Sequence, residues 1–240
     1  MEYLILACVA TMAAGIIRTS VGVGAGIALT ASLLLLFDPQ TTLAIMVFLQ
    51  IVFGVSAVAH YWRQWDSGLV VRLLLPAVAG VVVATALINV LPLEWVRRTL
   101  GVCIVFLGCL ELLRLRLESS PAPASFPRDV GAGFAAGVAG GLVNASGAVL
   151  GLYLKRRRLD HKIYLGTLSV VIMAHDVARL AIYWGFGMLS FNALKIAALL
   201  TPFAFCGGWL GAHLQRRMSE KLLSNIVLCL VILLGIILVR

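Results

Sequence analysis

The chain has 240 residues, of which 62% are hydrophobic and only 12% are charged, and its mean hydropathy is +1.05. Soluble domains carry about twice that share of charged residues, so this composition excludes a globular protein dissolved in water. The formal net charge of +9 would raise the question of nucleic acid in a soluble protein, but here the basic residues gather in short segments between apolar runs. We interpret them as topology signals and contacts to the lipid bilayer, and we expect no nucleic-acid partner.

Ten apolar segments follow one another along the chain, separated by proline, glycine and charged residues. They cover residues 2–17, 23–37, 41–61, 70–91, 96–116, 129–143, 147–155, 162–185, 191–214 and 221–239. Several of them reach the length of about 20 residues that a helix needs to span hydrocarbon. The sequence therefore predicts an all-α polytopic membrane protein. The first segment begins with Glu2 and lacks a basic leader, so we expect it to be retained.

A proline-rich stretch divides the chain near its middle. Residues 118–128 contain three prolines and small polar side chains, which favour an extended connection over a helix. We predict a first membrane repeat over residues 1–117, a linker over 118–128 and a second membrane repeat over 129–240.

The two halves repeat the same order of features at an offset of about 125 residues. The aligned pairs are Gly15 with Gly140, Thr19 with Asn144, Gly22 with Gly147, Gly26 with Gly151 and, with small shifts, Asp38 with Asp160, Tyr61 with Tyr183, Pro76 with Pro202 and Glu94 with Glu220. Five segments per half is an odd number, so the second half must enter the membrane from the opposite side. The sequence therefore predicts two inverted-topology repeats of about five helical segments each.

The distribution of basic residues indicates the orientation. With an external N-terminus, the cytoplasmic segments hold Arg63, Arg114, Arg116, Arg128, the run 155–158, Lys162, Arg216, Arg217 and Lys221. The external side keeps mainly Arg97, Arg98 and Arg240. This asymmetry follows the positive-inside rule, and we expect a multi-pass protein of the bacterial inner membrane.

Two glycine-rich turns, residues 14–26 and 139–151, open the two halves. The segments around them are short, so each half is expected to begin with a glycine-broken hairpin that dips into the membrane. A helix that starts after such a turn presents free N–H groups and the positive end of its dipole, which suits an anion. The predicted substrate-binding residues are Arg18, Thr19, Ser20, Gly22, Gly24, Asn144, Ser146 and Gly147.

Arg18 strengthens the anion hypothesis. A guanidinium inside an apolar region is costly unless it faces a cavity or a partner, and its planar fork of donors suits oxyanions. The second half has Val143 at this position. The alternative is that Gly22 and Gly26 serve only tight helix packing, which explains the glycines but none of the polar side chains.

A second polar cluster lies in the middle of segment 162–185. His175, Asp176 and Arg179 are spaced so that all three can share one side of a helix. Buried ionisable groups are expensive in hydrocarbon, so the cluster indicates a proton relay or a second anion contact. A self-neutralising structural network is the alternative.

The chain resembles the sulfite exporter TauE/SafE family of membrane anion transporters over nearly its whole length. The resemblance is carried by the turns 15–26 and 140–151, by Pro76 and Pro202, and by residues 166–169, which are similar to the family's GTS signature. The first half departs from that signature, since residues 44–46 read Ala-Ile-Met. The resemblance implies transport of sulfite, sulfonates or related organic anions with proton or sodium coupling, and it adds Thr167 to the coupling or supporting residues.

Other readings stay open at this point. A passive anion channel would line its path with the same groups as a carrier that works by alternating access. Ser146 and His175 vaguely resemble the pair of an intramembrane serine protease, but we expect no enzyme and no catalytic residue. The five cysteines lie in apolar runs without CxxC spacing, so we expect no metal and no cofactor. A homo-oligomer is left open.

Overall fold

The structure is a computed structural model that describes residues 2–21, 25–114, 125–214 and 220–239. Within these ranges it is all-α. The helices are α1 (Glu2–Val21), α2 (Ala25–Leu34), α3 (Pro39–His60), α4 (Ser67–Val90), α5 (Leu93–Arg114), α6 (Phe126–Val143), α7 (Ser146–Arg156), α8 (His161–Gly185), α9 (Phe191–Leu214) and α10 (Glu220–Val239).

Each of the ten predicted segments corresponds to one helix, which confirms the all-α prediction. The linker prediction needs a correction at its end, because α6 already begins at Phe126. Pro127 fits there, since the first turn of a helix has no use for the N–H group that proline lacks. Residues 118–124 of the predicted linker lie outside the described residues.

Four helices are long and apolar enough to cross a membrane, judged by length and composition over the described residues. They are Pro39–His60, Ser67–Val90, His161–Gly185 and Phe191–Gly211. The short helices α2 and α7 have 10 and 11 residues. At 1.5 Å per residue they reach only about half of the roughly 30 Å hydrocarbon layer. The opening helices α1 and α6, with 20 and 18 residues, are longer than predicted.

The caps of corresponding helices repeat between the two halves. Asp38 accepts a hydrogen bond from Thr41 N at the start of α3 (2.9 Å), and Asp160 accepts one from Lys162 N at the start of α8 (3.0 Å). A side-chain oxygen at this position satisfies an N–H group that has no partner within the helix. The predicted pairing of these two aspartates therefore has a shared local cause.

The turns before α4 and α9 are a second matched pair. Asp66 accepts from Leu69 N (2.9 Å), and Ser190 accepts from Ala193 N (3.1 Å). Pro76 and Pro202 then lie inside α4 and α9, which both have 24 residues. The fourth helices of the two halves thus share their cap and the presence of an internal proline.

The helices pack into two compact units that do not coincide with the two sequence halves. The first unit comprises Met1–Met46, Leu91–Arg116 and Leu189–Arg240, and the second comprises Val47–Val90 and Leu117–Met188. In the first unit α1 packs mainly on α9, and in the second unit α6 packs mainly on α4. The opening hairpin of each half therefore packs against the fourth helix of the other half.

Glycine brings these helices into backbone contact. A Cβ atom at Gly137 of α6 would overlap the Ala77 carbonyl of α4, and one at Gly207 of α9 would overlap the Met12 carbonyl of α1. Small residues at helix crossings allow this close approach. Packing thus explains the glycines at positions 137 and 207.

Candidate functional site

The turn between α6 and α7 reverses the chain inside the second unit. Asn144 follows α6 in the left-handed conformation (φ 56°, ψ 35°), which asparagine tolerates better than most residues. Its backbone N donates to Gly140 O (3.1 Å), and Ala145 N donates to Ala139 O (3.2 Å). Asn144 and Ser146 are 5% and 4% exposed. The turn therefore places the start of α7 in the protein interior.

The N-terminus of α7 offers backbone donors. Ala145 precedes the helix and provides no side-chain hydrogen bond to it. The first internal bonds run from Ala148 N and Val149 N to Ala145 O. The N–H groups of Ser146 and Gly147 belong to the opening turn, where a helix has no internal acceptors and its dipole is positive. This arrangement favours an anion.

The ring of His175 on α8 lies beside this turn. A Cβ atom at Gly140 would be 2.8 Å from His175 Nε2 and 2.9 Å from Ser146 Cβ, so these groups surround one point. His175 itself is fully buried. Gly140 thus makes room for the imidazole, and the two polar groups predicted separately from the sequence meet in one place.

Arg179 and Tyr183, further along α8, cap the end of α6. Arg179 donates to Gly140 O (2.5 Å), and Tyr183 donates to Gly141 O (2.9 Å). The last carbonyls of a helix have no donors within it, and a cation there offsets the negative end of the dipole. Arg179 is therefore a positioning residue for the turn.

Asp176 lies between the two other charged members of the cluster. Its Oδ1 is 3.2 Å from a terminal nitrogen of Arg179 and 3.3 Å from His175 Nδ1. The guanidinium and the carboxylate balance each other, so protonation of His175 would add a positive charge to the site.

Several polar atoms of this cluster have no hydrogen-bond partner among the described residues. They are His175 Nδ1 and Nε2, Asp176 Oδ2 and Arg179 Nε. Buried polar atoms are normally paired, so these point to a proton, water or ligand that completes the network.

The sequence model of the sulfite exporter TauE/SafE family matches residues 7–238. The chain belongs to this family. Its members are membrane exporters of sulfite and related anions, which identifies the chain as a membrane protein of a transporter family and confirms the resemblance seen in the sequence. No curated protein and no solved structure matches the chain.

Thr167 of this TauE/SafE protein lies away from the α6–α7 turn. Its Oγ1 accepts from Asp66 N (3.0 Å), and a Cβ atom at the neighbouring Gly166 would overlap the Gln64 carbonyl. At 1.5 Å per residue, Thr167 is about 12 Å along α8 from His175. The GTS-like stretch thus fastens α8 to the turn between α3 and α4.

The predicted residues of the first half belong to the first unit. Arg18 is half-buried near the end of α1. The backbone of Thr19 and Ser20 is helical, but their side chains are outside the described part of the chain, as are Gly22 and Gly24 altogether. Their role in binding stays a prediction.

A second buried ionic cluster was missed by sequence reasoning. Asp129 of α6 is fully buried, accepts from the Tyr153 hydroxyl, and lies 3.4 Å from Arg157 and 3.8 Å from Arg72. Burial, and then the hydrogen bond to Asp129, raise the pKa of Tyr153 to about 12, although Arg157 acts in the opposite direction. The only sequence signal was the spacing of four between Tyr153 and Arg157, because Asp129 is 24 residues from Tyr153.

Among the described residues, no group of three or more His, Cys, Asp or Glu side chains could hold a metal ion.

Proposed function

We propose that this TauE/SafE protein carries sulfite, sulfonates or related small organic anions, and that the α6–α7 turn with His175 is the binding site in the second unit. The observation that supports the proposal is a buried helix N-terminus, at Ser146, beside a buried imidazole whose Nε2 has no hydrogen-bond partner among the described residues. The anion would accept hydrogen bonds from the N–H groups of Ser146 and Gly147 and from Nε2–H of His175.

The charge balance of the site supports an anion over a cation. Asp176 and Arg179 offset each other. The remaining contributions are the positive end of the α7 dipole and the charge of protonated His175, and both attract a negative ligand. Sulfite and sulfonate groups have three oxygens that can accept from separate donors, as this arrangement requires.

His175 also supports proton coupling. Histidine is a frequent proton carrier in proteins, because its imidazole can hold or release a proton at a ring nitrogen. In the protonated state the site binds the anion, and after deprotonation it releases the anion, so that the two move together. Asp176 Oδ1 lies 3.3 Å from His175 Nδ1, where its negative charge favours the protonated imidazole.

Alternating access is the mechanism that we propose for this cycle. Each half contributes one hairpin that packs on the fourth helix of the other half. Paired hairpins from inverted repeats are a frequent design of secondary transporters. We also propose that the chain is a multi-pass protein of the bacterial inner membrane.

A serine protease has less support than a carrier. Ser146 adjoins His175, but neither ring nitrogen of His175 has a hydrogen-bond partner among the described residues, so Ser146 does not bond to the ring. Activation of a serine nucleophile normally uses such a bond.

The function is tested with the purified chain in proteoliposomes. Uptake of labelled sulfite, a small sulfonate, sulfate and a small carboxylate is measured under imposed proton or sodium gradients. We expect saturable uptake of sulfite or a sulfonate that an inward proton gradient accelerates and that unlabelled anion on the opposite side stimulates. Flux that rises linearly with concentration and shows no such stimulation would indicate a channel, and absence of anion flux in every arm would rule out the proposal.

A further inference from the structure

One end of the second unit carries a dense group of exposed cations, which we call the basic face. The turn 61–66, the start of α6, the end of α7 and the start of α8 meet there. Asp66 N donates to Thr167 Oγ1, and Asp129 of α6 contacts Tyr153 and Arg157 at the end of α7. The exposed basic residues of this face are Arg63, Arg72, Arg128, Lys155, Arg156, Arg158 and Lys162.

The carboxylates at this end of the unit form contacts within the protein. Asp66 and Asp160 cap the starts of α4 and α8. Asp129 is fully buried, and its contacts to Tyr153 and Arg157 are internal. The exposed cations therefore outnumber the carboxylates close to them, and the face carries a surplus positive charge.

Two of these arginines occupy backbone positions that favour glycine. Arg63 has φ 60° and Arg158 has φ 50°. In the corresponding turn of the second half, between α8 and α9, the left-handed position is taken by Gly187 with φ 69°. An arginine in this conformation carries backbone strain that a glycine would not, and such strain is most often found at functional sites.

Arg157 adds a donor just beneath the face. Its side chain is 10% exposed, and its NH1 group has no hydrogen-bond partner among the described residues. Trp62, at 62% exposure, and Trp65 lie at the same end with ring centroids 5.7 Å apart. Exposed tryptophans of this kind mark the level of the lipid headgroups.

We propose that the basic face binds the phosphate groups of anionic phospholipids. Guanidinium groups form paired hydrogen bonds to phosphate oxygens, and clusters of about four to eight Lys and Arg residues beside membrane helices are typical of anionic-lipid sites. A lipid phosphate would supply an acceptor for Arg157 NH1 and a negative charge opposite the exposed cations of the face. This site is separate from the anion site at the α6–α7 turn.

The test compares the full chain with an Arg63→Gly/Arg158→Gly variant in phosphatidylcholine nanodiscs with or without phosphatidylglycerol or cardiolipin. Native mass spectrometry counts the retained anionic lipids, and a thermal scan follows unfolding. We expect the variant to lose anionic-lipid affinity by about fivefold per arginine removed. In phosphatidylcholine alone its unfolding temperature should be unchanged or higher, because glycine relieves the left-handed strain.

Arg98→Gln in the first unit is the matched control, since Arg98 is exposed and contacts the Trp95 ring, and it should retain lipid as the wild type does. A second pair, Arg63→Asn/Arg158→Asn, removes the charges with a residue that also tolerates positive φ, and it should behave like the glycine pair. Unchanged retention of anionic lipid in both pairs would overturn the proposal. Inorganic phosphate is also added to the protein in phosphatidylcholine nanodiscs. If it raises the unfolding temperature as much as the anionic lipids do, the lipid assignment is overturned in favour of a free-phosphate site. Neither readout depends on anion transport.

Discussion

Arg179 and His175 lie on the same helix but contact different parts of the α6–α7 turn. Arg179 donates to the Gly140 carbonyl, whereas the His175 ring lies at the missing Cβ of Gly140 beside Ser146. The sequence predicted only that His175, Asp176 and Arg179 share one side of a helix. Their separate roles follow from which part of α6 each side chain reaches.

The role of His175 predicts a pH effect. His175→Gln should reduce anion uptake at least tenfold and remove its dependence on pH, because a charge-assisted hydrogen bond is worth about 1.5–3 kcal/mol. In the wild type, affinity should rise as pH falls, since the protonated imidazole attracts the anion. Initial uptake rates between pH 5.5 and 8.5 check this. His213→Gln on α9 serves as the control, and a His175→Gln protein with the wild-type pH profile would remove histidine from the mechanism.

The capping role of Arg179 predicts a stability effect. Arg179→Gln should destabilise the fold by about 3–5 kcal/mol, because it leaves the buried Asp176 carboxylate without its partner. Unfolding in detergent measures this loss. The double variant Asp176→Asn/Arg179→Gln should recover part of it. Additive losses in the double variant would show that the two side chains do not interact.

Tyr153 predicts a spectroscopic signature. Its pKa is raised to about 12, above the ordinary value of 10, so the neutral phenol is stabilised and its contribution to folding is complete below pH 10. That contribution is lost as pH rises from 10 to about 12. The absorbance difference at alkaline pH between the wild type and Tyr153→Phe should show one phenol that ionises near pH 12. A difference centred at pH 10 would contradict the contact with Asp129.

At the scale of the helices, glycine determines how closely α6 and α1 approach α4 and α9. The glycines of α6 occupy both packing positions and an open one. Gly137 meets the Ala77 backbone, whereas nothing lies within 4 Å of a Cβ atom at Gly131. The sequence alone does not distinguish these two glycines, because the difference depends on which face of α6 is covered by α4.

This contrast predicts opposite results for two alanine substitutions on one helix. Gly137→Ala should destabilise the protein by about 1–3 kcal/mol, because the helices must move apart. Gly131→Ala should be neutral or stabilising by up to about 1 kcal/mol, because alanine is the better helix former. Thermal midpoints of the two variants in one detergent decide the matter, and equal midpoints would contradict the observed crossing of α4 and α6.

At the scale of the whole molecule, the opening hairpin of each sequence half packs against the other half. Each hairpin packs on the fourth helix of the other half, so neither half forms a compact unit by itself. The inverted orientation of the repeats remains a prediction that rests on segment number and charge placement.

The predicted orientation is tested by cysteine labelling of intact cells. In a chain without its five native cysteines, a cysteine at Arg156 should react with a membrane-impermeant maleimide only after lysis, whereas one at Gly187 should react in intact cells. Arg156 and Gly187 are both exposed, so accessibility within the protein does not limit either reaction. The reverse pattern would place the N-terminus inside.

The sequence by itself determined the membrane class, the ten helices and the family resemblance, because each depends on local properties. The length of each apolar segment, the prolines and glycines between segments, and the capping aspartates at positions 38 and 160 each affect only the neighbouring helix. The same features occur in both halves of the sequence. The α6–α7 turn also had a local signal, since asparagine suits the left-handed conformation that this reversal requires.

Only the tertiary structure decided which helices pair across the halves and which polar residues meet. Three contacts illustrate this: His175 with Gly140, Arg179 with the Gly140 carbonyl, and Asp129 with Tyr153. Each joins residues on different helices that are 24 to 39 positions apart in the sequence, and no periodicity connects them. Such contacts depend on how rigid helices cross. The crossing is set by backbone contact at a few glycines, which the sequence does not distinguish from the others.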